Sequence, residues 1–179
     1  MKECFGIDGV ALNWINSYLS DRHQKVIVDG TISDSFQVPF GVPQGSRLGP
    51  LLFTLYTSSL IKSTRDNFPE VSCHCYADDT QLFISFRPNP RTADASVSML
   101  EKCTAFIRRW MLNNRLKLND SKSEFLVIGT SQQISKISID CIKVGFSNVK
   151  PSDTVRNLGV QFDTNLNMEK QITNVCKST

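Results

Sequence analysis

Val71-Ser72-Cys73-His74-Cys75-Tyr76-Ala77-Asp78-Asp79-Thr80-Gln81-Leu82-Phe83-Ile84-Ser85-Phe86 decides how the rest of the chain reads. Apolar, aromatic and β-branched residues flank Ala77-Asp78-Asp79 on both sides, so a hairpin with its acidic residues at the tip is expected. Adjacent carboxylates repel, and nothing cationic stands beside them in sequence. A divalent cation cancels that repulsion, and oxygen-only donors suit Mg²⁺ or Mn²⁺. Aspartate is also common in turns because its side chain bonds nearby backbone, so the pair alone leaves both readings open. On such a strand Cys73 and Cys75 share one face and His74 takes the other. No second Cys or His pair follows at ligand spacing, which argues against zinc.

Upstream lies a glycine-rich block, Gly41-Val42-Pro43-Gln44-Gly45-Ser46-Arg47-Leu48-Gly49-Pro50-Leu51-Leu52-Phe53. Its glycines allow positive φ or close approach of another backbone. Pro43 stiffens the loop ahead of Gln44, whose amide both donates and accepts hydrogen bonds. Ser46 is placed to cap a helix with Leu48, Leu51, Leu52 and Leu55 as its apolar stripe, and Pro50 requires that helix to start close by. A helix start behind glycines can seat a phosphate or a nucleotide edge; packing alone is the other account of such a loop.

Together these motifs carry a resemblance. Tyr76-Ala77-Asp78-Asp79 resembles the aromatic-x-Asp-Asp signature of reverse transcriptases, and the block from Gly41 to Phe53 is similar to the one preceding it in non-LTR (LINE-like) retrotransposon polymerases. The resemblance covers nearly the whole chain. It implies an α/β (α+β) polymerase palm, an antiparallel sheet backed by helices, with residues 1–165 as partial fingers and palm and 166–179 as the start of a thumb. It implies RNA-directed DNA synthesis from deoxynucleoside triphosphates on an RNA template and DNA primer, using Mg²⁺ or Mn²⁺. Asp78 and Asp79 then hold metal, Pro43, Gln44 and Gly45 position nucleotide and template, and Tyr76 supports the primer end.

Further blocks are placed by the same resemblance. The stretch from Asn113 to Gly129 is similar to the block in which a lysine follows Leu-x-Leu-Asn, and Lys122 matches it. A lysine there can neutralise a triphosphate or protonate leaving pyrophosphate; a surface lysine beside Glu124 is equally consistent. Leu158-Gly159-Val160 resembles the hairpin that steadies the primer end. The family's other aspartate strand, typically Phe-x-x-Ala-Phe-Asp, is missing, and both ends read as cut. The isolated chain is therefore expected to bind metal weakly and to be inactive or nearly so. An RNA-directed RNA polymerase also uses paired aspartates in a hairpin, but Ala77 and the Gly-Val-Pro-Gln-Gly block argue against it. A catalytically dead remnant that only binds nucleic acid or protein is the other alternative.

Periodicity supplies the remaining elements. Asp8 is a candidate N-cap for a helix over Gly9–Leu19, with Ala11, Trp14, Ile15 and Tyr18 on a core-facing side. Residues 20–25 read as a polar turn whose Arg22, His23 and Lys25 either touch a nucleic-acid backbone or are simply solvated. Residues 26–28 and 35–38 read as strands, with Asp29-Gly30 a turn pair. A long helix over residues 92–113 buries Val97, Leu100, Ile107 and Met111, with Met99, Cys103, Phe106 and Trp110 beside them. Strands are expected over residues 124–128, 137–144 and 155–162, the last two joined by 145–153.

Composition sets broad limits. At 179 residues and 40% hydrophobic content the chain suits one domain with a real core, and its +3 charge is too small to argue for nucleic acid. The six cysteines form no disulfide framework and fit reduced thiols. No apolar run spans a membrane and no signal peptide opens the chain, so an intracellular site, nucleus or cytoplasm, is expected.

Overall fold

The computed structural model describes residues 1–43 and 45–177. Gln44 lies outside the described residues. The chain divides into two compact units, Met1–Tyr56 and Thr57–Thr179.

The first unit opens with a one-turn helix α1 (Lys2–Phe5) and then α2 (Gly9–Leu19). Asp8 caps α2 as expected, accepting the Gly9 N–H at 2.7 Å. Lys2 lies 2.6 Å from the same carboxylate. That ammonium, with the Gly9 N–H, holds the Asp8 carboxyl below its ordinary range. The core-facing expectation fails: no residue of α2 is buried. Trp14 is 55% exposed and stacks on Tyr18 at 5.8 Å. Leu52 is the single buried hydrophobic residue described between 1 and 56, and Ile27, Val28, Ile32 and Phe36 stay exposed, so this unit offers no buried core for α2 to join.

Two nested strand pairs follow. β1 (His23–Gln24) pairs antiparallel with β4 (Phe36–Gln37), and β2 (Ile27–Val28) with β3 (Thr31–Ile32). Asp29 and Gly30 turn the inner pair with φ of 49° and 79°, both positive as a tight two-residue hairpin turn requires. The polar turn expected over 20–25 is thus partly strand, because His23 and Gln24 gain a backbone partner.

Helix α3 (Gly49–Asn67) begins in the first unit and ends in the second. Ser46 Oγ accepts the Gly49 N–H at 3.0 Å, and Pro50 falls in the first turn where its missing N–H costs nothing. Leu52, Thr57, Leu60 and Thr64 form its buried stripe; Leu51, expected in it, is 56% exposed.

In the second unit, β5 (Ser72–Tyr76) and β6 (Asp79–Phe83) form the expected hairpin. Helix α4 (Pro90–Asn113) starts at the N-cap Asn89, whose Oδ1 accepts the Thr92 N–H at 3.0 Å. It buries Leu100, Cys103, Ile107 and Met111 as the periodicity indicated, with Val97, Met99, Phe106 and Trp110 partly buried. Leu60, Val71, Ile142 and Val144 complete this core. Asn89→Ala removes the cap of the helix that carries half of it, and a loss of about 1 kcal/mol is expected in urea unfolding.

Beyond α4 come a 3-10 turn (Asp120–Lys122), a short α5 (Ser131–Ile134), the hairpins β7 (Ile142–Val144)–β8 (Ser147–Val149) and β9 (Thr154–Asn157)–β10 (Val160–Asp163), and α6 (Glu169–Lys177). Three expectations are corrected here. The strand over 124–128 is one parallel bridge, Phe125 to Pro151. Ile142–Val144 is the only part of 137–144 that pairs, and its partner β8 lies inside the expected connection. Residues 155–162 are two strands, not one, turned at Leu158-Gly159 with φ of 48° and 87°. The described strands form five separate two-stranded ladders, all antiparallel, rather than one sheet. Each pair is short, and all but β1–β4, which encloses the β2–β3 hairpin, are closed by a tight turn of their own, so pairing stays local. The chain is a mixed structure of helices and antiparallel strands, and no described helix is long and apolar enough to cross a membrane.

Candidate active site

The β5–β6 register fixes where each side chain of the tip stands. Tyr76 pairs with Asp79, Cys75 with Thr80, His74 with Gln81 and Cys73 with Leu82. Partners across an antiparallel ladder share a face, so Tyr76, Asp79, His74 and Gln81 lie on one side and Cys73, Cys75, Thr80 and Leu82 on the other. Leu82 packs against the core and marks the second face as the inner one.

Ala77 and Asp78 alone make the turn. Ala77 has φ 51°, a left-handed conformation that costs a residue with a Cβ about 1 kcal/mol or more. Asp78 and Asp79 are both exposed. No ion pair among the described residues engages either carboxylate. The donor set, two hard oxygen ligands without a competing cation, suits Mg²⁺ or Mn²⁺. It is incomplete, since no group of three or more candidate ligands occurs among the described residues.

The outer face carries a link that sequence reasoning missed. Gln81 Nε2 donates to Asn157 Oδ1 at 2.7 Å, a bond between residues 76 apart in the chain. Gln81 stands two residues from Asp79 on the same face, and Asn157 is the last β9 residue before the Leu158-Gly159 turn. The hairpin with the aspartates is thereby tied to the hairpin bearing Gly159. On the same face His74 stacks on Phe83 at 5.3 Å, and Tyr76 is 66% exposed with its ring open to solvent.

The inner face holds two half-buried thiols. A hydrogen bond from Cys73 favours the Cys75 thiolate, the Thr80 hydroxyl at 3.8 Å adds to it, and the Cys75 pKa falls to about 6 despite burial. The same bond, then burial, pushes the Cys73 thiol up. Burial raises Cys103 beneath them to about 11. Iodoacetamide labelling, read peptide by peptide by mass spectrometry, is expected to reach half its plateau rate at Cys75 near pH 6. Thr80→Val shifts that midpoint upward.

The other expected site residues are less closely tied. Lys122 ends the 3-10 turn, exposed, and none of the ion pairs among the described residues includes it. Pro43 and Gly45 belong to the first unit, where Pro43 O accepts the Ser46 N–H at 3.2 Å. Gly45 has φ 77° with open space where a Cβ would stand.

Comparison with known proteins identifies a family. The reverse transcriptase (RNA-dependent DNA polymerase) family matches residues 1–162. The chain is 27% identical over 162 residues to the probable RNA-directed DNA polymerase from transposon X-element of Drosophila melanogaster, covering 90% of this chain and 17% of that protein. It is 25% identical to the RNA-directed DNA polymerase from mobile element jockey of the same organism, with the same coverage. It is 28% identical to the retrovirus-related Pol polyprotein from type-1 retrotransposable element R2 of Popillia japonica, covering 89% of this chain and 27% of that protein. The chain thus spans about a sixth to a quarter of these relatives. No solved structure matches it significantly. On the match to residues 1–162 and the aspartate hairpin within it, the chain belongs to the reverse transcriptase (RNA-dependent DNA polymerase) family, as a domain of the non-LTR retrotransposon kind.

Proposed function

We propose that residues 1–165 form the palm and part of the fingers of an RNA-directed DNA polymerase working inside the cell, with 166–179 opening its thumb. The substrates are an RNA template, a DNA primer and deoxynucleoside triphosphates. The observation that carries this reading is the bare carboxylate pair at a strained tip, tied through Gln81 and Asn157 to a second hairpin.

Asp78 and Asp79 would hold Mg²⁺ or Mn²⁺, which when bound offsets charge on the triphosphate and on the attacking 3′ oxygen. The primer 3′ hydroxyl loses its proton to solvent, its oxygen bonds to the α-phosphorus, the α–β phosphoanhydride breaks, and pyrophosphate leaves. Tyr76, on Asp79's face, supports the primer end, and the Gly159 turn backs it. Lys122 neutralises or protonates the departing pyrophosphate. Pro43, Gln44 and Gly45 position nucleotide and template; the open space beside Gly45 lets a ligand approach the backbone.

Two carboxylates are fewer than a two-metal site needs, and this favours one alternative, a chain that binds nucleic acid or protein without catalysis. Electron paramagnetic resonance of Mn²⁺ separates the two. The polymerase reading expects binding that is weak, roughly millimolar, is displaced by Mg²⁺ and is absent in Asp78→Asn/Asp79→Asn. Identical Mn²⁺ signals with wild type and the double variant would favour the non-catalytic reading.

A further inference from the structure

We propose that Phe146, with Arg109 and Lys143, forms a second nucleic-acid site, apart from the aspartate tip, that takes one unpaired base and its flanking phosphates. Glu101, Arg108, Arg109 and Leu112 on α4 and Lys143 on β7 line a cavity of about 420 Å³. Its lining residues do not include Asp78 or Asp79.

The ring of Phe146 is the reason for the assignment. It occupies the turn between β7 and β8 and is 88% exposed. Such positions ordinarily take small or polar residues, and burial gives no account of a ring left in water. The ring is nonetheless held. The Arg108 guanidinium lies 4.2 Å from its centroid, and the Phe146 N–H donates to Asp120 Oδ2 at 3.5 Å. Asp120 in turn pairs with Arg108 at 3.8 Å. A ring backed on one face by a guanidinium and open on the other is a stacking platform for a base.

Charge completes the match. Arg109 and Lys143 are exposed, and neither has a carboxylate in ion-pair reach among the described residues. The acidic residue of the lining, Glu101, is engaged by the Lys143 backbone N–H at 2.8 Å. Arg108, which touches the ring, lines the cavity together with Arg109, Lys143 and Gly145, the residue before Phe146. The ring and the two cations therefore share one surface, which suits an extruded base and its flanking phosphates. An acidic peptide would use the cations and leave the ring idle. The choice of nucleic acid among polyanions rests on the polymerase reading; the site itself rests on the geometry of α4 and the β7–β8 turn.

Fluorescence anisotropy with a labelled oligo(rA) 12-mer, in EDTA and without nucleotide, tests the site independently of any metal at the tip. Wild type is expected to bind. Phe146→Ala should weaken binding about 5- to 100-fold, the worth of one stacked base. Arg109→Ser/Lys143→Ser should flatten the slope of log affinity against log salt by about 1.4, two phosphate contacts on a single strand. All three changed residues are exposed, and circular dichroism checks that the fold is kept. An abasic oligomer of equal charge should bind wild type and Phe146→Ala alike. Absence of wild-type binding, or affinity and salt slope unchanged in both variants, overturns the proposal. Equal affinity for polyglutamate of the same length assigns the surface to an acidic peptide instead and overturns it too.

Discussion

Asp78→Asn is expected to abolish primer extension on poly(rA)–oligo(dT) by the domain joined to an upstream segment that carries the family's Phe-x-x-Ala-Phe-Asp strand. The substitution keeps the size of the side chain and removes its charge at the tip. One of the tip's two negative charges is lost, and an anionic oxygen donor that would face the cations becomes a neutral amide. A loss of about a thousandfold or more, roughly 4 kcal/mol of barrier, is the expected scale. Because Asp78 is an exposed turn residue, folding should be unaffected, and equal thermal unfolding midpoints of variant and parent check this. Extension that continues at the parental rate would remove Asp78 from the chemistry.

Gly145→Ala is the substitution expected to damage the fold most for its size. Gly145 turns β7 into β8 with φ 61°, and a Cβ there would meet Asp120 Oδ2 at 2.1 Å and Cγ at 2.6 Å. The carboxylate cannot retreat cheaply. It pairs with Arg108, accepts the Phe146 N–H, and has its Oδ1 already buried without a partner. Left-handed strain of about 1 kcal/mol and an overlap worth about 1–3 kcal/mol add to a loss of about 2–4 kcal/mol. For a chain of this length that lowers the unfolding midpoint by about 5–15 °C. Asp120→Ala/Gly145→Ala removes the obstacle, so the double variant should lose less than the two single losses together.

Where the chain is periodic, the sequence was legible. Asp8 and the run after it marked α2, and the 3.6-residue spacing of Leu100, Cys103, Ile107 and Met111 marked the buried side of α4. The alternation through Cys73, His74 and Cys75 placed both thiols on one face. What failed was what local pattern does not encode. Trp14 and Ile15 promise burial, yet burial depends on what the rest of the chain supplies, and no residue of α2 is buried. The turn at Leu158-Gly159 hid because an apolar residue takes the positive φ that Asn or Asp would have announced. In the β7–β8 turn a glycine, Gly145, does take the positive φ, but the apolar Phe146 beside it masks the turn. At the site, the aspartate pair was legible because two like charges between apolar runs need an explanation. The bond from Gln81 to Asn157 was not, because two amides 76 residues apart leave no local trace.

The claim on which the account turns is that the hairpin tip holds a divalent cation, and iron-directed cleavage tests it most directly. Fe²⁺ substitutes for Mg²⁺, and with ascorbate and peroxide it generates hydroxyl radicals that cut the backbone beside the bound ion. Cuts are expected clustered around residues 76–80, suppressed by excess Mg²⁺ and missing in Asp78→Asn/Asp79→Asn. Cleavage spread along the chain, or a cluster elsewhere that Mg²⁺ does not suppress, would contradict the claim.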